Sequence, residues 1–399
     1  MAALPEPAAE QKTHSQKLQQ KMIEAIRDSD GSIGFDRYMA MALYQPGLGY
    51  YAAGAQKFGA AGDFITSPEV SPLFAQCLAR QIQQAMVALP DAVVIEFGAG
   101  SGALATDLLL ALESSGSLPQ AYWIVEVSAE LQQRQQQRLK QKCAQLLDRV
   151  VWLQQLPDES VNAVVIANEV LDAMPVRAFE KQNGELFERK VSENKHELSW
   201  LNMPADESLK AALKEIEAST EQPLPENYRS EFNPSLKPWL SSVAAMLKNG
   251  LVLLIDYGYD ASEYYSAERE MGTMMCYYRH RAHDNVFFYP GLQDITAFVD
   301  FTALAESAFD CGFEVMGYTT QAQFLFGCGL AEIFENKMAQ LSADSVKQQL
   351  HLSQQVKTLT LPGEMGERFK VMALGKNCQT DETGQGLMGF TVADLRRRL

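Results

Sequence analysis

Residues 93–103 read Val-Val-Ile-Glu-Phe-Gly-Ala-Gly-Ser-Gly-Ala, and no other stretch restricts the fold so tightly. An apolar run of strand length, a turn with glycine at every second position and an Ala/Leu-rich helical pattern over 102–114 open a β-α-β unit. Further apolar runs at 122–127, 150–153, 161–167 and 251–257 alternate with helical patterns at 128–147 and 234–248. That alternation predicts an α/β fold in which a mostly parallel sheet carries helices on both faces. Asn249-Gly250 is expected to stop the helix before the fifth strand. Two more strands are expected at 314–319 and 368–375, with a helix at 294–311.

The remaining segments divide the chain as follows. Residues 1–75 form an N-terminal helix and a collar or lid: 1–12 are a loose end, 17–27 an amphipathic helix with Leu18, Met22, Ile23 and Ile26 at helical spacing, and 33–62 ordered loops rich in aromatic residues, Gly and Pro. A helix over 68–89 leads into the core, 76–179, which holds four strands and the ligand site. An insertion of mixed character follows at 180–233, then the fifth strand within 234–260 and a substrate-side insertion at 261–293. The core ends in 294–320 and 359–377, around a helical insertion at 321–358, and 378–399 is a tail. The Gln-rich run 132–142 reads as the solvated face of a helix whose other side carries Leu131, Leu139 and Leu146.

The glycine turn demands a ligand at the strand's carboxyl end. Gly98, Ala99, Gly100 and Gly102 let the backbone approach it, and the following helix offers unpaired N–H groups to an anionic part. The run also satisfies G-x-G-x-x-A through Ala103, so a dinucleotide stays in play, as does a plain strand-to-helix turn. A carboxylate at Glu96 would repel a pyrophosphate but attract the ammonium and sulfonium of S-adenosylmethionine. Glu126, followed by Val127, closes the second strand where an acid can accept from both ribose hydroxyls. Leu153 and Gln154 would border the adenine. Asn168, Glu169 and Asp172 follow the fourth strand; two carboxylates three residues apart share a face if the segment turns helically, and suit a guanidinium or amine. Asp172 could equally cap a turn. In Arg279-His-Arg-Ala-His283, preceded by Cys276 and Tyr277, the ligands are too few and oddly spaced for zinc. No metal is expected, and His280 and His283 are read as substrate-lining groups open to acid/base use.

Composition narrows the partners. With 34 Lys plus Arg against 50 Asp plus Glu, the net charge of −16 argues against nucleic acid and favours cationic ligands. Six scattered cysteines without a C-x-x-C pair read as reduced thiols, and with neither an export signal nor a membrane-length apolar run the chain is expected to be cytoplasmic.

Taken together, YQPGLGYYAAG (44–54), GDFITSPEVSPLF (62–74), IEFGAGSGALATDLL (95–109), YWIVEVSAELQQRQ (122–135), NEVLDAMPV (168–176), IDYGY (255–259), CYYRHRAHDN (276–285), PGLQDITAFVDFTAL (290–304) and PGEMGERFKVMAL (362–374) resemble the MidA-type family of class I methyltransferases. That family includes a mitochondrial protein-arginine methyltransferase of complex I assembly. The resemblance spans most of the chain and implies a Rossmann-like, seven-stranded sheet with family-specific insertions. It implies S-adenosyl-L-methionine in the glycine site, with S-adenosyl-L-homocysteine as product and Asp63, Thr66 and Ser67 closing over it. It further implies an arginine of a respiratory dehydrogenase subunit as acceptor. Glu169, with Asp172 or Asp63 behind it, would pair with the guanidinium; Tyr277 and Arg279 would contact the substrate, and His280 or His283 would take the proton. A methyltransferase for a small molecule or another protein group shares every cofactor motif. A cofactor-binding assembly chaperone, docking through the aromatic loop 44–51, is a third reading, and a homodimer is compatible with all three.

Overall fold

A computed structural model describes residues 4–53, 65–220, 223–342, 345–378 and 386–399. The chain divides into two compact units, one gathering 65–170, 239–258 and 305–399, the other the N-terminal segment with 171–238 and 259–304.

Seven strands of an eight-stranded sheet run through the first unit: β1 (Val93–Phe97), β2 (Tyr122–Val125), β3 (Val150–Leu153), β4 (Val161–Asn168), β5 (Leu247–Tyr259), β6 (Glu314–Thr320) and β7 (Phe369–Lys376). Their spatial order is β6-β7-β5-β4-β1-β2-β3. β5, β4, β1, β2 and β3 run parallel, while β7 lies antiparallel between β5 and β6. The central strands carry continuous apolar runs because both faces are covered: Val93, Val94, Ile95 and Ala163 to Ala167 are all buried. Helices α1 (Ser67–Val70), α2 (Pro72–Val87), α3 (Ala103–Ser114) and α4 (Ala129–Lys142) precede or connect them. α2 and α3 bury Leu73, Phe74, Leu78, Ile82, Leu104, Leu108 and Leu112 in one core with Val94, Tyr122, Val164 and Leu253. Each such side chain contributes about 1.5–3 kcal/mol when fully buried.

The other unit carries a five-stranded sheet in which Glu185–Asn194 pairs antiparallel with Arg177–Gln182, Glu197–Pro204 and the short Ser32–Ile33, and Tyr228–Phe232 pairs with Arg177–Gln182. Leu18, Met22, Phe35, Tyr38, Met39 and Val191 share a core with Cys276 and Ile295, so the collar and the two segments expected as separate insertions gather in one unit.

Several expectations are corrected. The first helix starts at Ala9, not 17, and Phe35–Tyr44 is a helix inside the expected loops. The helix expected over 68–89 breaks at Ser71, which is extended (φ −162°) and caps α2 by accepting from the Leu73 N–H at 3.3 Å. Asn249-Gly250 lies within β5: the preceding helix, Leu236–Met246, ends earlier, and a bulge at Leu247/Asn249 absorbs the irregularity. Gly250 is there for close approach, since a Cβ would stand 2.5 Å from the Ala163 carbonyl oxygen of β4. Residues 294–300 form two short strands, and the helix is confined to Phe301–Asp310. None of the six cysteines forms a disulfide. Among the described residues no helix is long and apolar enough to cross a membrane, and no cluster of His, Cys, Asp and Glu could hold a metal.

Candidate functional site

At the carboxyl edge of β1 the chain turns through Gly98, Gly100 and Gly102 with φ of 62°, 52° and 79°. This left-handed region costs any residue with a Cβ roughly 1 kcal/mol or more. Room is also short: a Cβ on Gly98 would meet Val170 Cγ2 at 3.3 Å, and one on Gly102 would meet Gln135 Cα at 3.2 Å. Alternating left-handed residues aim successive N–H groups to one side, an anion-binding nest that ends at the start of α3. Ala99 inside the turn is buried.

Gln135 holds this turn from behind. Its Nε2 donates to the Gly100 carbonyl (3.1 Å) and to Glu126 Oε2 (3.2 Å), and its Oε1 accepts from the Trp152 indole (2.9 Å). The Gln-rich run is therefore not purely a solvated face. Gln135 is fully buried, in line with Leu131 and Leu139 on α4, whose start Ser128 caps. Its position four residues from each leucine was the available signal. Glu126 ends just past β2 with Oε1 accepting from the Ser128 N–H at 2.9 Å. Burial raises its pKa, against the hydrogen bonds from Ser128 and Gln135. Val127 is exposed; Leu153 is half-buried at the end of β3, and Gln154 is exposed beside it.

Glu96 is enclosed in the protein interior. It is 3% exposed and accepts the Tyr122 hydroxyl at 2.6 Å, and burial pushes its carboxyl up to about 7, with the Tyr122 hydrogen bond opposing.

Beyond β4 the expected helical turn does not form. Glu169 adopts φ +54°, uncommon for a residue with a Cβ, and its N–H donates to the Ile255 carbonyl of β5 at 2.9 Å. Its Oε1 accepts from the Ser67 N–H (3.3 Å) and the Asn168 amide (3.2 Å). Asn168 Oδ1 is buried with no hydrogen-bond partner among the described residues. Ser67 is fully buried, its hydroxyl donating to Gln321 Oε1 at 2.9 Å, and Thr66 is half-buried at the cap of α1. Asp63 lies outside the described residues. Asp256, missed in the sequence, is buried on β5 with Oδ2 accepting from the Val170 N–H at 3.2 Å.

Asp172, Tyr277, Arg279, His280 and His283 belong to the other unit. There Asp172 is buried and its carbonyl accepts from the Ala297 N–H at 3.0 Å. Tyr51 donates to Asp294, also buried, at 2.9 Å and stacks on Tyr44 at 5.6 Å between centroids. Buried charge from Asp294 and Asp172 adds to desolvation in raising the Tyr51 pKa. Two carboxylates among tyrosines suit a cation. Asp294 was not singled out from the sequence, and Tyr44 and Tyr51 were read there only as the ends of an aromatic docking loop.

His283 does not fit the proton-accepting role expected of it. Arg279 and His280, φ 47° and 60°, form the exposed two-residue turn of a hairpin joining Met275–Tyr278 to Arg281–His283. Arg279 donates to Gln11 Oε1 at 2.9 Å. His283 is buried, burial lowers its pKa, and its Nδ1 accepts from the Asn285 N–H at 3.3 Å. The neutral ring then carries its proton on Nε2 and has no lone pair left to receive another. Tyr277 is half-buried, paired in register with Ala282 and Asp294.

Residues 77–319 match the family described as "Putative S-adenosyl-L-methionine-dependent methyltransferase". The chain belongs to that family. A Burkholderia thailandensis protein solved with bound S-adenosyl-homocysteine is 40% identical over the whole of both chains, with a TM-score of 0.92. A native structure from the same organism gives 38% and 0.89. The mitochondrial protein arginine methyltransferase NDUFAF7 of Danio rerio is 28% identical over 92% of this chain and 90% of its own, and the human NDUFAF7 is 27% identical over 87% and 80%.

As a member of this family the chain is a methyltransferase that uses S-adenosyl-L-methionine. The residues present fit that donor: a left-handed glycine nest for its carboxylate, Glu126 at the second strand's end as hydroxyl acceptor, and the buried Asn168 Oδ1 as acceptor for its ammonium.

Proposed function

We propose that the chain methylates a guanidinium nitrogen of a protein arginine, on a respiratory dehydrogenase subunit of the complex I type, in the cytoplasm. The observation that carries this reading is the Glu169 carboxylate, held at the carboxyl edge of β4 by the Ser67 N–H and the Asn168 amide, in the unit that contains the glycine turn. The names of the curated relatives support the acceptor; they also place those proteins in mitochondria.

The bound donor supplies an electrophilic methyl group. The protein's task is to hold a poor nucleophile in line with it, because the guanidinium lone pairs are delocalised. A fixed carboxylate pairs with the guanidinium, localises its charge and orients one nitrogen. That nitrogen loses a proton as its new C–N bond forms, and Glu169 supplies the acceptor that His283 does not.

Purified protein incubated with radiolabelled S-adenosyl-L-methionine and lysate from cells lacking it is expected to label an arginine of a respiratory dehydrogenase subunit. Glu169→Gln is expected to lower kcat roughly a hundredfold and to weaken donor binding several-fold. Label on a small molecule would displace the reading. Donor binding without any label would favour an assembly role with little turnover.

A further inference from the structure

Three elements of the parallel-sheet unit meet at one carboxylate. Glu69 on α1 accepts from the hydroxyl of Ser101, the residue between the last two glycines of the turn. Arg138 on α4 brings Nη1 to 3.4 Å from Glu69 Oε1 and 3.2 Å from the Ser101 hydroxyl. Two residues before Glu69, the Ser67 N–H reaches Glu169 at 3.3 Å, while Ser67 and Pro68 are buried. A single helical turn therefore touches the glycine nest at one end and the acceptor-side carboxylate at the other. A four-residue helix has little stability of its own. Its geometry is set by what holds its two ends.

We propose that Glu69 is a positioning residue that couples donor binding at the glycine turn to the orientation of Glu169, through Ser101, Arg138 and the α1 backbone. Donor binding fixes Ser101, Ser101 and Arg138 fix Glu69, and the rigid turn sets the Ser67 N–H on Glu169. Glu69 touches neither reacting group in this scheme. Reciprocity follows from linkage: changes at Glu169 feed back on donor affinity only through an intact α1 clasp.

The inference rests on the methyltransferase reading, and titration calorimetry with S-adenosyl-L-homocysteine tests it without knowledge of the acceptor. The wild type, Glu69→Ala, Glu169→Gln and the double variant form a cycle. Loss of a charge-assisted hydrogen bond predicts that Glu69→Ala weakens binding roughly tenfold. The double variant is expected to be no weaker than Glu69→Ala alone, and Glu69→Gln, which keeps an acceptor for Ser101, to recover part of the loss. Circular dichroism and the unfolding midpoint of each ligand-free variant establish that it folds; if Glu69→Ala does not, Arg138→Lys, which keeps the charge, and Arg138→Gln replace it in the cycle. Unchanged affinity in Glu69→Ala, or effects that simply multiply, would overturn the coupling while leaving the methyltransferase reading intact. A wild type that does not bind the product would remove that reading, and the inference with it.

Discussion

Glu96 shows how a single buried carboxyl couples stability to pH. Its folded pKa of about 7 stands above the ordinary 4.5, with burial as the main cause, so the folded state binds a proton more tightly than the unfolded chain. The associated stability is fully present below pH 4.5 and is lost as pH rises through 7. At about 1.4 kcal/mol per unit the loss is on the order of 3 kcal/mol. Glu96→Gln, which still accepts from Tyr122, is expected to flatten this dependence: urea midpoints of variant and wild type should coincide near pH 4.5, with the variant higher at pH 8. Gly102 carries a separate prediction. At φ 79°, with a Cβ 3.2 Å from Gln135 Cα, Gly102→Ala should cost about 1–2 kcal/mol in unfolding free energy and weaken S-adenosyl-L-homocysteine binding in calorimetry.

Among the elements, α4 does more than connect β2 to β3. Gln135 on its buried stripe ties the glycine turn, the Glu126 carboxylate and the Trp152 indole together. Gln135→Leu keeps the volume but leaves the Gly100 carbonyl, Glu126 and Trp152 each short of a partner. An expected loss of about 2–3 kcal/mol in stability, read by denaturant unfolding, should accompany weaker cofactor binding. The central strands of this unit were legible because a parallel strand covered on both faces needs an unbroken apolar run, and the runs at 93–97 and 161–167 fell where β1 and β4 stand. The helix Phe35–Tyr44 was hidden by flanking Gly and Pro, although Phe35, Tyr38, Met39, Ala42 and Leu43 keep helical spacing. Antiparallel strands such as Glu185–Asn194, with burial mixed along polar residues, give no comparable run, so their pairing was illegible. The left-handed turn at Glu169 was equally hidden, because Glu has no preference for that conformation and long-range hydrogen bonds impose it.

For the whole molecule, the net charge of −16 is the property most exposed to solution conditions. Attraction of an arginine-bearing acceptor by that field weakens with ionic strength, whose screening length falls from about 10 Å at 0.1 M salt to about 3 Å at 1 M. The KM for a cationic acceptor peptide should therefore rise steeply with salt while kcat changes little, and duplex DNA should not bind at any ionic strength. Glycine turn, second-strand acid and fourth-strand carboxylate were readable as candidates because each stands where an apolar run stops. The clasp through Glu69 was not, because it needs three distant segments to converge.

The place of β7 sets the order in which the molecule can be completed during its synthesis. That strand, Phe369–Lys376, lies between β5 and β6, so Glu314–Thr320 has no neighbour on its inner side until residue 376 has left the ribosome. For more than a hundred residues of elongation the nascent sheet lacks β7 along the flank of β5, a template for the wrong strand. A chaperone that shields β5 during that interval would raise the yield of folded protein without touching its final stability.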